Sequence, residues 1–457
     1  MNTQIKFKET IYLSSKFRLI LFFLIVSVEM AINCSSGVLS SSSKSIKNSL
    51  NFNDREFGLF GSFNGYGRAL GSIIFLIIVD QMNHKKIFLF FIFLKSMLLI
   101  LFKFINNGYI LILLRGLMGL AHMPPSIYIP IWIDQFGNIN YKTILLTIRQ
   151  FVIPLGKVLG YYLCIIFNEN EWKKGFFIEG IYLFFVCFCV FYSNEKYFNN
   201  KLKLSNKIIN NICIFEYDEN KNFNKKFDYV KFFNQIKIVF SNKIFNIENI
   251  IRAIMCGVSA TIHYWCADYI RNYLLVDDSI KIFYSYTIAG IFGPFGGIFI
   301  IYIINNFIGG YESKFAPICL LFLEIFCCLF GIFMSLTNDL KLFCINLMIF
   351  FIFQSSALTI MNGLIIISNN EMKGIVFSLA NIFTMLFSAG PFPYFYGYIN
   401  NYYKNYGKTN YAMKFIIKIK CLNVFLIGYL NYLLFSKKDN NEDFNKEKFR
   451  EININVS

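Results

Sequence analysis

Residues 115–162 read RGLMGLAHMPPSIYIPIWIDQFGNINYKTILLTIRQFVIPLGKVLGYY, and their pattern decides the class of fold. Two apolar stretches, each long enough to cross about 30 Å of hydrocarbon as a helix, flank a polar turn that holds Asp134, Asn138, Asn140 and Lys142. The first opens with Arg115 and Gly119 in Arg-xxx-Gly spacing; the second carries Pro154, Gly156, Gly160 and Tyr161. An Arg inside such a stretch costs about 2.5–3.5 kcal/mol on insertion scales. Arg115 is therefore expected to face a cavity or a partner, the alternative being an Arg that snorkels to the nearby boundary.

The pattern recurs along the chain. Hydrophobic residues form 56% of the 457 and charged residues only 16%, with 56 Phe, which excludes an ordinary soluble domain. The continuous apolar runs also exclude a membrane β-barrel, whose strands alternate. An all-α membrane protein is expected, with twelve spans at residues 17–39, 57–79, 87–105, 110–133, 143–167, 175–193, 247–276, 282–307, 315–336, 342–368, 374–399 and 413–435. Residues 1–16 form an N-terminal tail, 17–193 a first six-helix bundle, 194–246 a linker, 247–436 a second six-helix bundle and 437–457 a tail. The linker carries ten lysines against five acids. Placing it in the cytoplasm leaves about 23 Lys and Arg on that side against about nine on the other, so both termini are expected to be cytoplasmic.

A net charge of +17 would suggest a nucleic-acid partner in a soluble chain, but here cationic loops set membrane orientation and none is expected. The basic N-terminus lacks a small-residue cleavage site, so the first span is expected to act as an uncleaved insertion signal. The twelve cysteines show neither metal-ligand spacing nor a disulfide framework. Neither a Gly-x-x-x-x-Gly-Lys loop nor a His-Glu-x-x-His pair occurs, so no metal, cofactor or catalytic residue is expected. Two alternatives of other classes stay open. One is an intramembrane enzyme using His122, His263 and Asp268 as acid-base groups; the other is a receptor or chaperone that binds without transporting.

The charged and polar residues within or beside the spans suggest roles. Arg68, Lys95, Arg115, Arg149, Lys157 and Arg252 outnumber Glu29, Asp268 and Glu324, which favours a carboxylate, phosphate or zwitterion as substrate. The expected substrate-binding set is Arg68, Arg115, His122, Arg149, Trp265, Gln354, Asn362 and Asn381, with helix bridging the alternative for the amides. Residues 79–86, VDQMNHKK, place Asp80, His84 and Lys85 between the second and third spans, where an acid can complement a helix N-terminus; the family resemblance given below implies that this locks a gate, the alternative being an ordinary charged cytoplasmic loop. Residues 263–271, HYWCADYIR, put Asp268 and Arg271 three apart, a spacing that allows an ion pair in a second gate. An aromatic belt with a structural ion pair is the alternative there. Asp134 completes the expected gating set. Gly293-Pro294-Phe295-Gly296-Gly297 is expected to allow close packing and a kink.

Six spans, a basic linker and six more, with the acidic-then-basic loop at 79–86 and the Arg-xxx-Gly of the fourth span, resemble the major facilitator superfamily. Within it, three features are similar to the Spinster-type branch: Arg115-Gly116, Ile153-Pro154-Leu155-Gly156 through Gly160-Tyr161, and Trp172. A fourth is FSAGPFPYFYGYIN at 387–400, in which Ala389, Pro393 and Gly397 keep the frame. The resemblance implies two bundles rocking about a central site, a monomer, and an amphiphilic substrate such as a lysophospholipid or sphingoid-type lipid. A small hydrophilic organic anion or amino acid is the runner-up. The chain departs from the branch where Ala31 and Ile32 replace an Asp-Arg pair and His122 replaces an acid. Glu29 and His122 are then the candidates for proton coupling, since imidazole changes charge near neutral pH.

Overall fold

The computed structural model describes residues 10–79, 81–136, 142–167, 169–198, 202–209, 212–217, 229–308, 313, 315–368, 373–404 and 410–454. Six long helices come first: α1 (Ser15–Ser41), α3 (Asp54–Ile78), α4 (His84–Phe102), α5 (Gly108–Phe136), α6 (Lys142–Ile166) and α7 (Lys173–Tyr192), with a short α2 (Ser43–Leu50) between α1 and α3. After the linker and α8 (Tyr229–Ser241) come α9 (Lys243–Asn272), α10 (Ser279–Ile308), α11 (Ala316–Leu336) and α12 (Leu340–Ser368). A broken path of α13 (Lys373–Thr384), a π turn (Met385–Ala389) and α14 (Pro391–Lys404) follows, then α15 (Tyr411–Ile454). Among the described residues, eight helices are long and apolar enough to cross a membrane by length and composition. Helix α4 carries Lys85, Lys86 and Lys95 among its apolar residues, and α3 carries Asp54, Arg55, Glu56 and Arg68.

Local chemistry sets several boundaries. The serine run ends α1, where Ser41 Oγ bonds the Gly37 carbonyl at 3.0 Å and competes with the helix ladder. Asn53 and Glu56 form a reciprocal capping box that starts α3. Pro391 lacks the backbone N–H needed to continue a helix interior, and the chain passes through the π turn immediately before it. One element departs from the expectation of a plain polar linker. Residues Leu202–Ile209 (β2) and Ile212–Tyr217 (β3) form an antiparallel sheet with Thr10–Ser14 (β1), in the order β1-β3-β2. Runs such as ICIFEY are rich in β-branched and aromatic residues, which favour strands despite the charged surroundings.

Helix α1 packs on α6, α3 on α5, α10 on α12, and α11 on α12 and α15. The glycines of the opening stretch explain two of these pairings. A Cβ on Gly160 would overlap the Cys34 carbonyl of α1, and one on Gly119 would overlap the Asn64 carbonyl of α3. Between the halves, α3 lies against the π turn and α14, α1 against α9, and α6 against α10. The buried apolar core follows the same division. One cluster joins the first half to the linker-distal parts of the second, through residues such as Trp265, Ile270, Tyr286 and Tyr396. A separate cluster, including Phe245, Ile251, Leu320, Ile360 and Val376, fills the linker-proximal part of the second half. The halves are thus welded at the end of the bundle away from the linker.

Candidate transport pathway

A cavity of about 160 Å³ lies between the halves. The first half contributes Asn33, Ser36, Leu39, Gly61, Asn64, Gly65, Arg68, Arg115, Ile153 and Lys157; the second contributes Ala260, His263, Tyr264, Tyr286, Ala389 and Pro393. Three of the lining residues are cations and none is a carboxylate. Arg68 comes from α3, Arg115 from α5 and Lys157 from α6, so three helices of one half aim positive charge at a single space. Among the described residues, Arg68 Nε, both Nε and Nη1 of Arg115, and Asn64 Oδ1 are buried and find no hydrogen-bond partner. Buried polar atoms are nearly always paired, so unpaired donors at a cavity leave capacity there for an acceptor. The Arg115 guanidinium is held by the rings of Phe60 and Phe176, each 5.9 Å away, and the residue is 2% exposed, which removes the snorkelling alternative.

Behind this wall lies a second layer. Arg68 Nη2 stands 3.3 Å from His122 Nδ1. The Ser126 hydroxyl donates to Glu29 Oε1 at 2.8 Å. Arg149 Nη2 donates to the Ser126 carbonyl at 3.0 Å and lies 3.5 Å from Glu29 Oε1. Glu29, His122 and Arg149 therefore stand beside the cavity, with Arg149 and Glu29 engaging each other. The opposite wall is aromatic. His263 Nδ1 lies 2.8 Å from the Tyr286 hydroxyl, and Tyr286 stacks on Tyr161 at 4.0 Å. The Tyr161 hydroxyl is 2.5 Å from Ser40 Oγ, which donates to the His263 carbonyl at 2.8 Å. This loop of contacts joins α1, α6, α9 and α10 above the cavity.

The linker-distal end is closed by charge. Lys47 of α2 pairs with Asp54 of its own half at 2.9 Å and with Asp268 of the other half. Burial draws the Lys47 ammonium down, but the carboxylates of Asp268 and Asp54 outweigh it and hold its pKa above the ordinary lysine value. Arg271 Nη1 donates to the Ser41 carbonyl at 2.8 Å and lies 3.3 Å from Ser43 Oγ. Tyr264 donates to the Phe57 carbonyl at 2.7 Å, Asn400 to Asp54 at 3.0 Å, and Lys44 to Asp277 at 3.0 Å. The expected Asp268–Arg271 pair within one helix gives way to contacts across the interface. Both side chains reach toward α1 and α2, where Lys47 offers a partner for Asp268.

The other expected residues fall elsewhere. Trp265 is fully buried, stacks on Tyr396 at 4.9 Å and donates to the Pro393 carbonyl at 3.1 Å, so it packs the closed end instead of lining the cavity. Gln354 donates to the Met255 carbonyl at 3.0 Å and accepts from Lys420, deep in the second half. Asn381 accepts from Arg252 at 2.7 Å, and Asn362 Oδ1 is buried without a partner away from the cavity lining. His84 Nε2 lies 3.0 Å from the Val79 carbonyl. Lys85 donates to the Phe191 and Ser193 carbonyls at the end of α7, at 2.8 and 2.5 Å. These two tie the first half together. Asp80 and the side chain of Asp134 lie outside the described residues. Lys47, Tyr161, Tyr286 and Lys420 were not singled out from the sequence as site residues. Of these, only Tyr161, through its Gly-Tyr motif, carried a local signal.

The family model of the major facilitator superfamily matches residues 21–391. The chain belongs to the major facilitator superfamily. As a superfamily member it is a multi-pass membrane transporter with twelve transmembrane helices, not an enzyme. A search of curated proteins gave no match. Among solved structures, the chain is similar to a bacterial homologue of the human lysosomal transporter Spinster in an inward-facing, unoccupied conformation. The TM-score is 0.72 at 12% identity, covering 92% of this chain and 98% of that one. It is also similar to a D-xylose-proton symporter, with a TM-score of 0.69 at 13% identity, covering 91% and 97% of the two chains. The nucleoside transporter NupG matches with a TM-score of 0.62 at 11% identity, covering 91% and 98%. At such identities the likeness shows the fold, and the superfamily resemblance carried by the motifs agrees with it.

Proposed function

We propose that the chain is an alternating-access carrier for a small hydrophilic organic anion whose carboxylate or phosphate sits among Arg68, Arg115 and Lys157. The observation that carries this reading is the cavity wall of three cations and no carboxylate, with guanidinium nitrogens buried and unpaired. Guanidinium forks bind carboxylate and phosphate oxygens through parallel, charge-assisted hydrogen bonds. A cavity of about 160 Å³ suits a compact molecule. The seam between α6 and α10, a lateral route for a lipid tail, is shut by Tyr161 on Tyr286, Tyr162 beside Phe283 at 6.0 Å and Phe151 beside Phe295 at 4.1 Å.

The two bundles, residues 17–193 and 247–436, act as the rocking units of a monomer, and the whole pathway comes from one chain. With the linker and both termini in the cytoplasm, the closed end faces away from it and the state is inward-facing. Coupling is assigned to Glu29 more than to His122, because Glu29 Oε2 is buried beside the cavity and finds no partner among the described residues. A second reading, a lysophospholipid or sphingoid-type lipid, is favoured by the Spinster-type motifs around Arg115 and Gly156-xxx-Gly160. It requires α6 and α10 to part while the phosphate takes the same cationic wall.

Thermal unfolding of the purified protein against matched pairs of small anions and their neutral isosteres tests the reading, with lysophospholipid as a separate arm. Stabilisation by anions alone, weakened in Arg68→Gln, supports it. Equal stabilisation by the neutral partners, or by lysophospholipid alone, refutes it.

A further inference from the structure

The second half holds a charge cluster that the pathway does not use. Lys420 of α15 brings its ammonium to Glu324 of α11, 2.8 Å from Oε1 and 2.9 Å from Oε2. It also donates to Gln354 Oε1 of α12. Lys420 and Glu324 are 0% exposed and Gln354 is 3% exposed. Asn423, almost one turn beyond Lys420, donates to Glu324 Oε1 at 2.9 Å, and its own Oδ1 is buried with no partner. Two carboxylate oxygens and an amide oxygen therefore converge on one positive point, with a further amide oxygen unfilled on the neighbouring turn. None of these residues lines the central cavity.

A buried ion pair is a weak way to hold helices together, because apolar residues of similar volume do so at least as well. What the arrangement resembles is a coordination shell. Hard oxygens suit hard cations, and a single carboxylate balances one positive charge. We propose that Lys420 is a tethered cation occupying a monovalent metal-ion site of the second half, formed by Glu324 and Gln354 oxygens. The ammonium keeps Glu324 neutralised without an ion from solution, so this half gives the carrier no sodium coupling. The inference is independent of which substrate the central cavity takes.

The test is thermal unfolding of the purified full-length protein in sodium chloride and in N-methyl-D-glucamine chloride at equal ionic strength. The native chain is expected to unfold at the same temperature in both. Lys420→Ala empties the path of the lysine stem and leaves the oxygens to a small cation. Its Tm is expected to fall in N-methyl-D-glucamine and to recover by about 2–4 °C or more as sodium is added. Glu324→Gln combined with Lys420→Ala removes the carboxylate as well, and is expected to fold with no sodium response. A sodium shift in the native chain would overturn the proposal, as would a folded Lys420→Ala variant indifferent to sodium. So would a Lys420→Ala variant that stays unfolded in sodium, whether or not the double variant folds.

Discussion

Nε and Nη1 of Arg115 find no hydrogen-bond partner among the described residues, so replacing Arg115 with Gln removes a charge from the cavity wall without stranding a partner of those two nitrogens, whereas Arg68→Gln also removes the contact to His122. A hydrogen bond to a charged group is worth about 1.5–3 kcal/mol, which corresponds to anion affinity about 10- to 150-fold weaker in Arg115→Gln, measured by competition binding. Glu29→Gln is expected to keep anion exchange while losing acceleration by a proton gradient, read as initial rates with and without that gradient. Lys47 gives a pH dependence of definite sign. Its folded pKa lies above the ordinary value of about 10.4, so its contribution is complete below that value and is lost only as pH rises through the folded pKa. Lys47→Met should therefore lower stability by about 3 kcal/mol, equally from pH 6 to 9. Variant and native chain should converge only at pH above about 10.5 in thermal unfolding. Arg115 was legible because a charge inside an apolar stretch is costly and stands out. Lys47 was not, since it lies in a polar, serine-rich connection, and its carboxylate partner Asp268 is more than two hundred residues away. Lys420 was equally hidden: Lys414 and Lys418 precede it, and such a row reads as a basic membrane boundary.

At the scale of elements, glycines stand where α1 meets α6 and where α3 meets α5, because the close approach leaves no room for a Cβ. The seam between α3 and α14 follows the same rule, and on the proposed reading it is the seam that parts when the gate opens. A Cβ on Gly58 would run into the Pro393 carbonyl, whereas one on Gly428 would meet nothing within 4 Å. Gly58→Ala is expected to weaken the closed state and lower Tm by several degrees. Gly428→Ala is expected to be neutral or stabilising by up to about 1 kcal/mol, and thermal unfolding of the two variants side by side checks both. The break in the eleventh span could be anticipated from Pro391 and Pro393, but the π turn before it could not. It depends on α3 lying against that turn, with Gly65 beside Ala389 and Gly390. The three-stranded sheet escaped for a related reason. Each strand is short and weakly patterned, and β3 becomes a strand by pairing with β1 and β2 on both sides.

For the whole molecule, twelve apolar runs and one basic interruption were enough to indicate the fold, since hydrocarbon thickness fixes helix length. The conformation was not legible, because it depends on which end of the interface holds the contacts. Lys47–Asp268, Arg271–Ser41 and Tyr264–Phe57 hold the linker-distal end. On the proposed alternating-access reading, these contacts favour the state in which that end is shut, and removing one is expected to shift the balance toward the other. The cationic wall sits just beneath them. The measurement that tests the central claim most directly is counterflow of a radiolabelled small organic anion into proteoliposomes preloaded with the same unlabelled anion. Its neutral isostere and a lysophospholipid are run in parallel, with Arg115→Gln as the comparison protein. Saturable uptake of the anion alone, at least 10-fold slower in Arg115→Gln, is the predicted result. Equal uptake of the isostere, an unchanged rate in Arg115→Gln, or movement of the lysophospholipid alone would contradict it.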